Sequence, residues 1–270
     1  FFIGGLILYI LNKIKDTIYG EKNITLLFNL AQVKENPKSG LVIKKFNKLN
    51  INTKRSFHTK VKASNRIGPH NEDVISVLVG SLLGNCYSNR KSVEGTRFCY
   101  RQNIIHKEYL FWLYNFFYTR GYCNNLEPRK YKRILKKESN RKEYYGYEFN
   151  TFTFRSLNWL HDMFYHKGKK IIKSKIEKYL TPLALAIWIM DDGNFANSGL
   201  RIATNSFNLD EVKFLILLLK NLYDLDCTIQ TLKNGIQYSI YIKKNSIPKL
   251  IEIVLPHIHE SMYYKLGINV

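Results

Sequence analysis

The chain has 270 residues, and its 42 Lys and Arg against 21 Asp and Glu give a formal net charge of +21 and a pI near 9.7. This surplus excludes an acidic or neutral metabolic enzyme as the default, favours a polyanionic partner and leaves no reason to expect a small-molecule substrate. Hydrophobic residues make up 45% of the chain, with only 15 Gly and 6 Pro. The composition therefore predicts packed cores and excludes a disordered basic tail.

The first 66 residues differ from the rest. Residues 1–11 are an uncharged apolar run, too short for the roughly 20 residues that span a bilayer. Two interpretations stay open: a buried or frayed helix, or the trailing edge of a membrane segment upstream of a processed chain. Residues 13–66 carry 13 basic and three acidic residues with little periodicity, a net of +10. We interpret 1–66 as an apolar start followed by a basic arm or linker.

Cysteine and histidine give no metal signal. The four cysteines are far apart and lack CxxC spacing, so neither a zinc site nor a disulfide framework is predicted, and a reducing compartment fits best. The seven histidines show no ligand spacing, and we assign them no role.

The remainder reads as a duplication. A buried helix is predicted from Asn71, a capping residue, to Gly84, and a second from Thr181, a cap followed by proline, to the DDG sequence at 191–193. Each is followed by the same series, giving helix, two strands, helix, two strands, helix in residues 67–178 and again in 179–270. Two such modules predict a monomer with an internal pseudo-twofold axis.

Alternation along the predicted strands nominates a nucleic-acid surface. Apolar residues take one face, while Arg, Asn, Gln and Lys take the other, as a ribbon lying in a groove requires; any half-exposed sheet has the same pattern. Residues 129–142 hold eight basic residues and one acid, and we interpret them as a loop or short helix on the polynucleotide backbone, or else a solvated insertion. The candidates are Arg97, Arg101, Arg129, Lys130, Lys132, Arg133, Arg201, Asn205, Gln237, Tyr241 and Lys243.

The chemical signal lies at the end of the second buried helix. Asp191 and Asp192 face the negative end of the helix dipole, which costs a few tenths to about 1 kcal/mol per charge and suggests a bound divalent cation. The alternative is an Asx turn with one solvated carboxylate. If the two helices cross, Gly80 and Gly84 would permit close approach and bring Asn85 near Asp192.

The segments LVGSLLGNC at 78–86 and LAIWIMDDG at 185–193, with YLTP before the second and MYYKLG near the end, resemble the LAGLIDADG family of intron-encoded homing endonucleases and RNA maturases. The resemblance covers residues 66–270. It implies an α+β fold of two pseudo-symmetric αββαββα modules, with the motif helices packed at the interface and β-ribbons forming a saddle in the DNA major groove.

The resemblance also implies site residues. The last acid of each motif binds metal beside a scissile phosphate; here it is Asp192 in the second motif, while Asn85 stands in the first. An amide can ligate Mg²⁺ weakly but brings no charge. Lys265 matches a water-organising lysine, and Lys170 matches another, with Lys169 adjacent.

Three functions stay open. The main hypothesis is a group I intron splicing maturase with absent or impaired DNA cleavage, located in the mitochondrial matrix. The alternative is a site-specific, Mg²⁺-dependent DNA endonuclease, active or inactivated by an engineered Asp-to-Asn change at position 85. The third is a structural basic protein of a ribonucleoprotein. The partners would be a double-stranded DNA target, intron RNA, or both.

Overall fold

The computed structural model describes residues 61–137, 140–232, 235 and 237–268. The chain divides into two units, Phe1–Thr53 and Lys54–Val270. The apolar start predicted for 1–11 and most of the basic arm predicted for 1–66 lie outside the described residues. In the described part of the chain, no helix is both long and apolar enough to cross a membrane.

Two copies of one element series follow each other along the chain. The helices are α1 (Glu72–Leu83), α2 (Lys107–Thr119), α3 (Asn158–Phe164), α4 (Pro182–Asp192), α5 (Leu209–Tyr223) and α6 (Ile247–Val254). The strands are β1 (Tyr87–Ser92), β2 (Gly95–Asn103), β3 (Arg129–Lys137), β4 (Asn140–Asn150), β5 (Tyr165–His166), β6 (Lys169–Lys170), β7 (Gly193–Ala196), β8 (Gly199–Ala203), β9 (Cys227–Thr231) and β10 (Tyr238–Ile242). The series αββαββα occurs twice, separated by the short β5–β6 hairpin, so the predicted repeat is confirmed.

The two main sheets share one topology. The first is antiparallel with strand order β1-β2-β4-β3, and the second has the corresponding order β7-β8-β10-β9. In β2, Phe98 and Tyr100 are buried, while Arg101 is exposed on the opposite face. In β8, Leu200 and Ile202 are buried. The predicted alternation is therefore confirmed in both sheets.

The prediction of a loop or short helix over residues 129–142 was wrong. This basic segment forms β3 and the start of β4, an extended hairpin whose register runs from Arg129 opposite Glu148 to Lys137 opposite Asn140. The segment contains neither Gly nor Pro, and its basic side chains at 129, 130, 132 and 133 are exposed to water. Many like charges indicated solvation, but solvation is equally compatible with an exposed strand pair.

Arg66, at the predicted end of the basic arm, packs on the first module. Its side chain is buried, donates a 3.0 Å hydrogen bond to the Thr153 carbonyl and lies 4.7 Å above the Phe152 ring centre. The last residue assigned to the arm therefore contributes to the folded body.

The helices α1 and α4 lie side by side and parallel at the centre of one continuous apolar core. Near their N-termini, Thr181 caps α4 and donates a 2.8 Å hydrogen bond to the Ser76 hydroxyl. Halfway along, a methyl group at Gly80 would lie 2.3 Å from the Ala184 carbonyl oxygen, so only glycine permits this approach. The parallel arrangement brings both C-termini to the same end of the pair.

Candidate active centre and nucleic-acid surface

The C-termini of α1 and α4 meet at Gly84 and Asp191, which hold equivalent places in the two motifs. A β-carbon at Gly84 would lie 2.5 Å from that of Asp191. The next residue, Asn85, donates its backbone N–H to Asp191 Oδ2 at 3.2 Å and its side-chain Nδ2 to the Asp191 carbonyl at 3.3 Å. Asn85, predicted to lie near Asp192, thus bonds to the residue before it.

Asp191 has both carboxylate oxygens engaged. Besides the bond from Asn85, Gln102 on β2 donates its side-chain amide to Oδ1 at 2.8 Å. Burial, and then the charge of Asp192, raise the pKa of Asp191 to about 7, although the Asn85 N–H and the Lys265 charge oppose the rise. Asp191 therefore joins the two modules as a structural acid. The sequence paired Asp191 with Asp192 as carboxylates suggesting a bound cation and did not predict this structural role, and it gave no signal for Gln102.

Asp192 is different because, within the part of the chain that the structure describes, its carboxylate has no hydrogen bond or ion pair. The side chain is half-buried. Burial raises the pKa of Asp192 to about 6, and the charges of Lys170 and Lys265 only partly offset the rise. A half-buried carboxylate with open lone pairs is suited to bind a cation.

Two ammonium groups, that of the half-buried Lys170 and that of the buried Lys265, flank the helix ends in the same way. Lys170 on β6 donates to the Gly84 carbonyl at 3.0 Å and the Cys86 carbonyl at 3.2 Å. Lys265, in the 3-10 helix Glu260–Leu266, donates to the Asp191 carbonyl at 3.1 Å. Burial lowers the pKa of both lysines. Because both helix dipoles point their negative ends here, each lysine satisfies open carbonyls and offsets charge. The neighbouring Lys169 is exposed.

The donor set fits a hard divalent cation that keeps much of its water. Among the described residues, no three His, Cys, Asp or Glu side chains cluster closely enough to enclose a metal ion. Mg²⁺ needs no such cluster, since one or two carboxylates and the substrate phosphates suffice. The open carboxylate of Asp192 meets that requirement, and the amide oxygen of Asn85 would be the weaker metal ligand across the junction.

The outer face of the first sheet, which points away from the helices, contains only some of the predicted basic residues. Arg97, Arg101, Arg129 and Arg133 share this face by register. The structure places Lys130 and Lys132 on the opposite face, where Lys132 pairs with Glu143 at 2.9 Å. These two lysines lie apart from the arginines because the segment is a strand whose neighbouring side chains alternate, and their contact with nucleic acid stays a prediction.

Sequence reasoning missed an acid in the middle of that face. Glu148 on β4 lies between Arg101 and Arg129 and forms ion pairs with both. Burial alone would raise the pKa of Glu148, but hydrogen bonds and charges from Arg101 and Arg129 lower it overall. Glu148 is a single acidic residue in an aromatic strand, so its pairing with the two arginines could not be predicted before the strand register was known.

On the second sheet, Arg201 donates to the Gln230 side chain at 2.9 Å, and the half-buried Tyr241 donates to the Asn197 carbonyl at 2.9 Å. The other candidates, Asn205, Gln237 and Lys243, lie just outside the strands and are exposed. The structure thus brings the catalytic candidates together at one junction and spreads the binding candidates over two sheets.

The duplicated fold, with two central helices that end side by side, is that of the homing endonuclease class, and comparison with known proteins agrees. The structure titled "The homing endonuclease I-WcaI bound to its DNA recognition sequence" has a TM-score of 0.66 and 27% identity, covering 77% of this chain and 92% of that one. The model of the LAGLIDADG DNA endonuclease family matches residues 75–250. The chain belongs to this family.

The chain is similar both to an intron-encoded endonuclease and to an mRNA maturase. Intron-encoded endonuclease ai4 of Dictyostelium discoideum is 50% identical over 158 residues, which are 58% of this chain and 99% of that protein. Cytochrome b mRNA maturase bI2 of Saccharomyces cerevisiae is 40% identical over 229 residues, 82% of this chain. The chain spans 53% of the length of that maturase.

Proposed function

We propose that the chain is an intron-encoded splicing maturase that keeps the DNA-binding scaffold of its family and cannot cut both strands of a duplex. The observation that carries this is the asymmetry of the helix junction. Asp192 presents an open carboxylate, whereas the equivalent Asn85 presents an amide that is already bonded to Asp191.

Double-strand hydrolysis places negative charge at two phosphates, and each needs a cation held beside it. The Asn85 side of the junction brings no charge to hold one. Binding needs no such centre, because the basic surface and the two sheets recognise backbone and shape. The high net charge of the chain therefore supports binding without supporting cleavage.

Mg²⁺ bound at Asp192 would supply Lewis-acid polarisation of a phosphate oxygen and a more acidic water. The protein's own part is to hold the Asp192 carboxylate open and to keep two ammonium groups beside the helix carbonyls, where they offset the charge of a phosphate. Nicking of one strand is thus a second candidate activity, favoured by the unpartnered state of Asp192 among the described residues.

The partners we propose are the intron RNA and a double-stranded DNA site, bound by a monomer whose two modules replace the subunits of a dimer. The similar maturases are named for cytochrome b mRNA, and on that likeness we assign the chain to the mitochondrial matrix.

The test is a paired assay of splicing and cleavage. The chain, Asn85→Asp and Asp192→Asn are each given the intron-containing transcript and intron-lacking duplex DNA with Mg²⁺. We expect splicing stimulation from all three proteins. The unchanged chain should nick at most one strand, Asn85→Asp should gain cutting of the second strand, and Asp192→Asn should lose the nicking activity altogether.

Two outcomes would contradict the proposal. Robust double-strand cleavage by the unchanged chain would show that the Asn85 side is competent. Failure to bind the transcript or to stimulate its splicing, with DNA binding intact, would remove the maturase function.

A further inference from the structure

A charged triad occupies the outer face of the first module. Arg101 on β2 and Arg129 on β3 flank Glu148 on the intervening strand β4, and the register places all three directly across from one another. The Glu148 side chain is only 10% exposed, whereas those of Arg101 and Arg129 are 48% and 76% exposed. A buried acid therefore lies beneath two accessible guanidinium groups.

The hydrogen bonds show which edge of each guanidinium is occupied. Arg101 donates from Nε, at 2.8 Å, and from Nη2 to Glu148 Oε2. Arg129 directs Nε and Nη2 to the other oxygen, Oε1. Among the residues that the structure describes, no other group accepts a hydrogen bond from Nη1 or from the outer hydrogen of Nη2 of either arginine. These hydrogens form the end of the fork that bonds O6 and N7 of guanine.

Arg101 is fixed from a second direction as well, because its guanidinium carbon lies 4.8 Å above the centre of the Tyr131 ring. Such fixation removes rotamer entropy before binding, and a long side chain otherwise loses that entropy when it reads a base. The Glu148 carboxylate also lowers the net charge of the cluster from +2 to +1, which weakens non-specific attraction to phosphates.

The second module offers a natural comparison. Aligning the motif ends places Ala203 where Arg101 lies, Ser239 where Glu148 lies and Gln230 where Arg129 lies. The equivalent three positions there carry no charge. The triad is thus a property of one module and not a requirement of the sheet.

We propose that Glu148 is a positioning residue that sets Arg101 and Arg129 as a paired reader of two closely spaced guanines in one half of a duplex DNA site. This rests on the proposed DNA binding of the chain and deepens it, since it assigns the guanine-reading half-site to the first module.

The test selects binding sites from a duplex DNA library with randomised positions, in EDTA so that no strand is cut. The unchanged chain should select guanine at two positions in one half-site. Glu148→Gln should reduce that guanine preference about tenfold at both positions while binding unselected duplex as well as before or better. Arg101→Lys, which keeps the charge and loses the fork, should reduce it at one position.

Lys243→Gln is the matched control, because it removes an exposed charge beside the second sheet and should weaken binding to all duplexes alike. An unchanged guanine preference in Glu148→Gln, or a uniform loss of affinity, would overturn the inference. If Glu148→Gln fails to fold by circular dichroism, Arg101→Lys decides. If the unchanged chain selects a DNA sequence that lacks these guanines, only this inference is wrong. If it selects no sequence at all, the proposed DNA recognition is wrong as well.

Discussion

The two modules share one topology but differ in their chemistry. Each provides a parallel central helix, a four-stranded sheet and a lysine that donates to the carbonyl at the helix end, Gly84 in one case and Asp191 in the other. At the next position along the chain, the first module has the amide of Asn85 and the second has the open carboxylate of Asp192. The comparison shows that a duplicated fold is maintained by packing and helix-end bonds, which leaves the site residues of each copy free to diverge.

The same contrast holds on the sheets. The first module carries an ion-paired triad at the centre of its outer face, while the second carries Ala203, Ser239 and Gln230 at the equivalent positions. Even the shared helix seam is unequal, because the place of Gly80 in the first motif is taken by Ile187 in the second. One helix supplies the groove and the other supplies the side chain that fills it.

The largest effect should come from closing that groove. A β-carbon in Gly80→Ala would lie 2.3 Å from the Ala184 carbonyl oxygen and 2.7 Å from Ile187 Cβ, so the helices must separate. We expect the free energy of unfolding to fall by about 3 kcal/mol or more, measured by urea denaturation. Asn221→Ala, on the exposed face of α5, is the control and should stay within about 0.5 kcal/mol. A small effect at Gly80 would mean that the seam can relax.

A second prediction concerns the pH dependence of the unequal helix ends. Burial raises the pKa of Asp192 to about 6 and that of Asp191 to about 7, above the usual value near 3.9. As pH rises from about 4 to about 7, the unfolded chain releases protons that the folded chain still holds. The contribution of these groups is therefore complete below pH 4 and is lost as pH rises through the folded-state pKa values.

Asp192→Asn should remove part of that loss. Without metal, the variant should be more stable than the unchanged chain at pH 7.5 by roughly 1 to 2 kcal/mol, after allowance for partial solvent screening, and equal to it near pH 4. Asn85→Asp adds a carboxylate at the same junction and should deepen the decline. Urea denaturation across this pH range in EDTA measures the stability of both variants. Parallel stability profiles for the unchanged chain and Asp192→Asn would disprove the raised pKa of Asp192.

The repeat, the helices and the site junction could be predicted because each has a local signal. The cap at Thr181, the apolar runs and the two motif segments are all readable along the chain, whereas the side-chain cap predicted for Asn71 does not form. The basic hairpin could not be predicted, because its charges report exposure and not backbone conformation. The roles of Gln102 and Glu148 were equally inaccessible, since each depends on which residues the strand register and the helix seam bring across from it.

The smallest expected effect compares how the two central helices begin. Thr181 accepts a hydrogen bond from the Ala184 N–H and donates one to Ser76, whereas the Asn71 side chain makes no capping bond and Asp73 instead accepts from the Val74 N–H. Thr181→Ala should therefore lower the free energy of unfolding by about 1 kcal/mol, and Asn71→Ala by only a few tenths. Thr181→Ser retains the hydroxyl and should restore most of the difference in the same urea titration. Equal losses at the two caps would show that the helix starts, unlike the helix ends, are energetically equivalent.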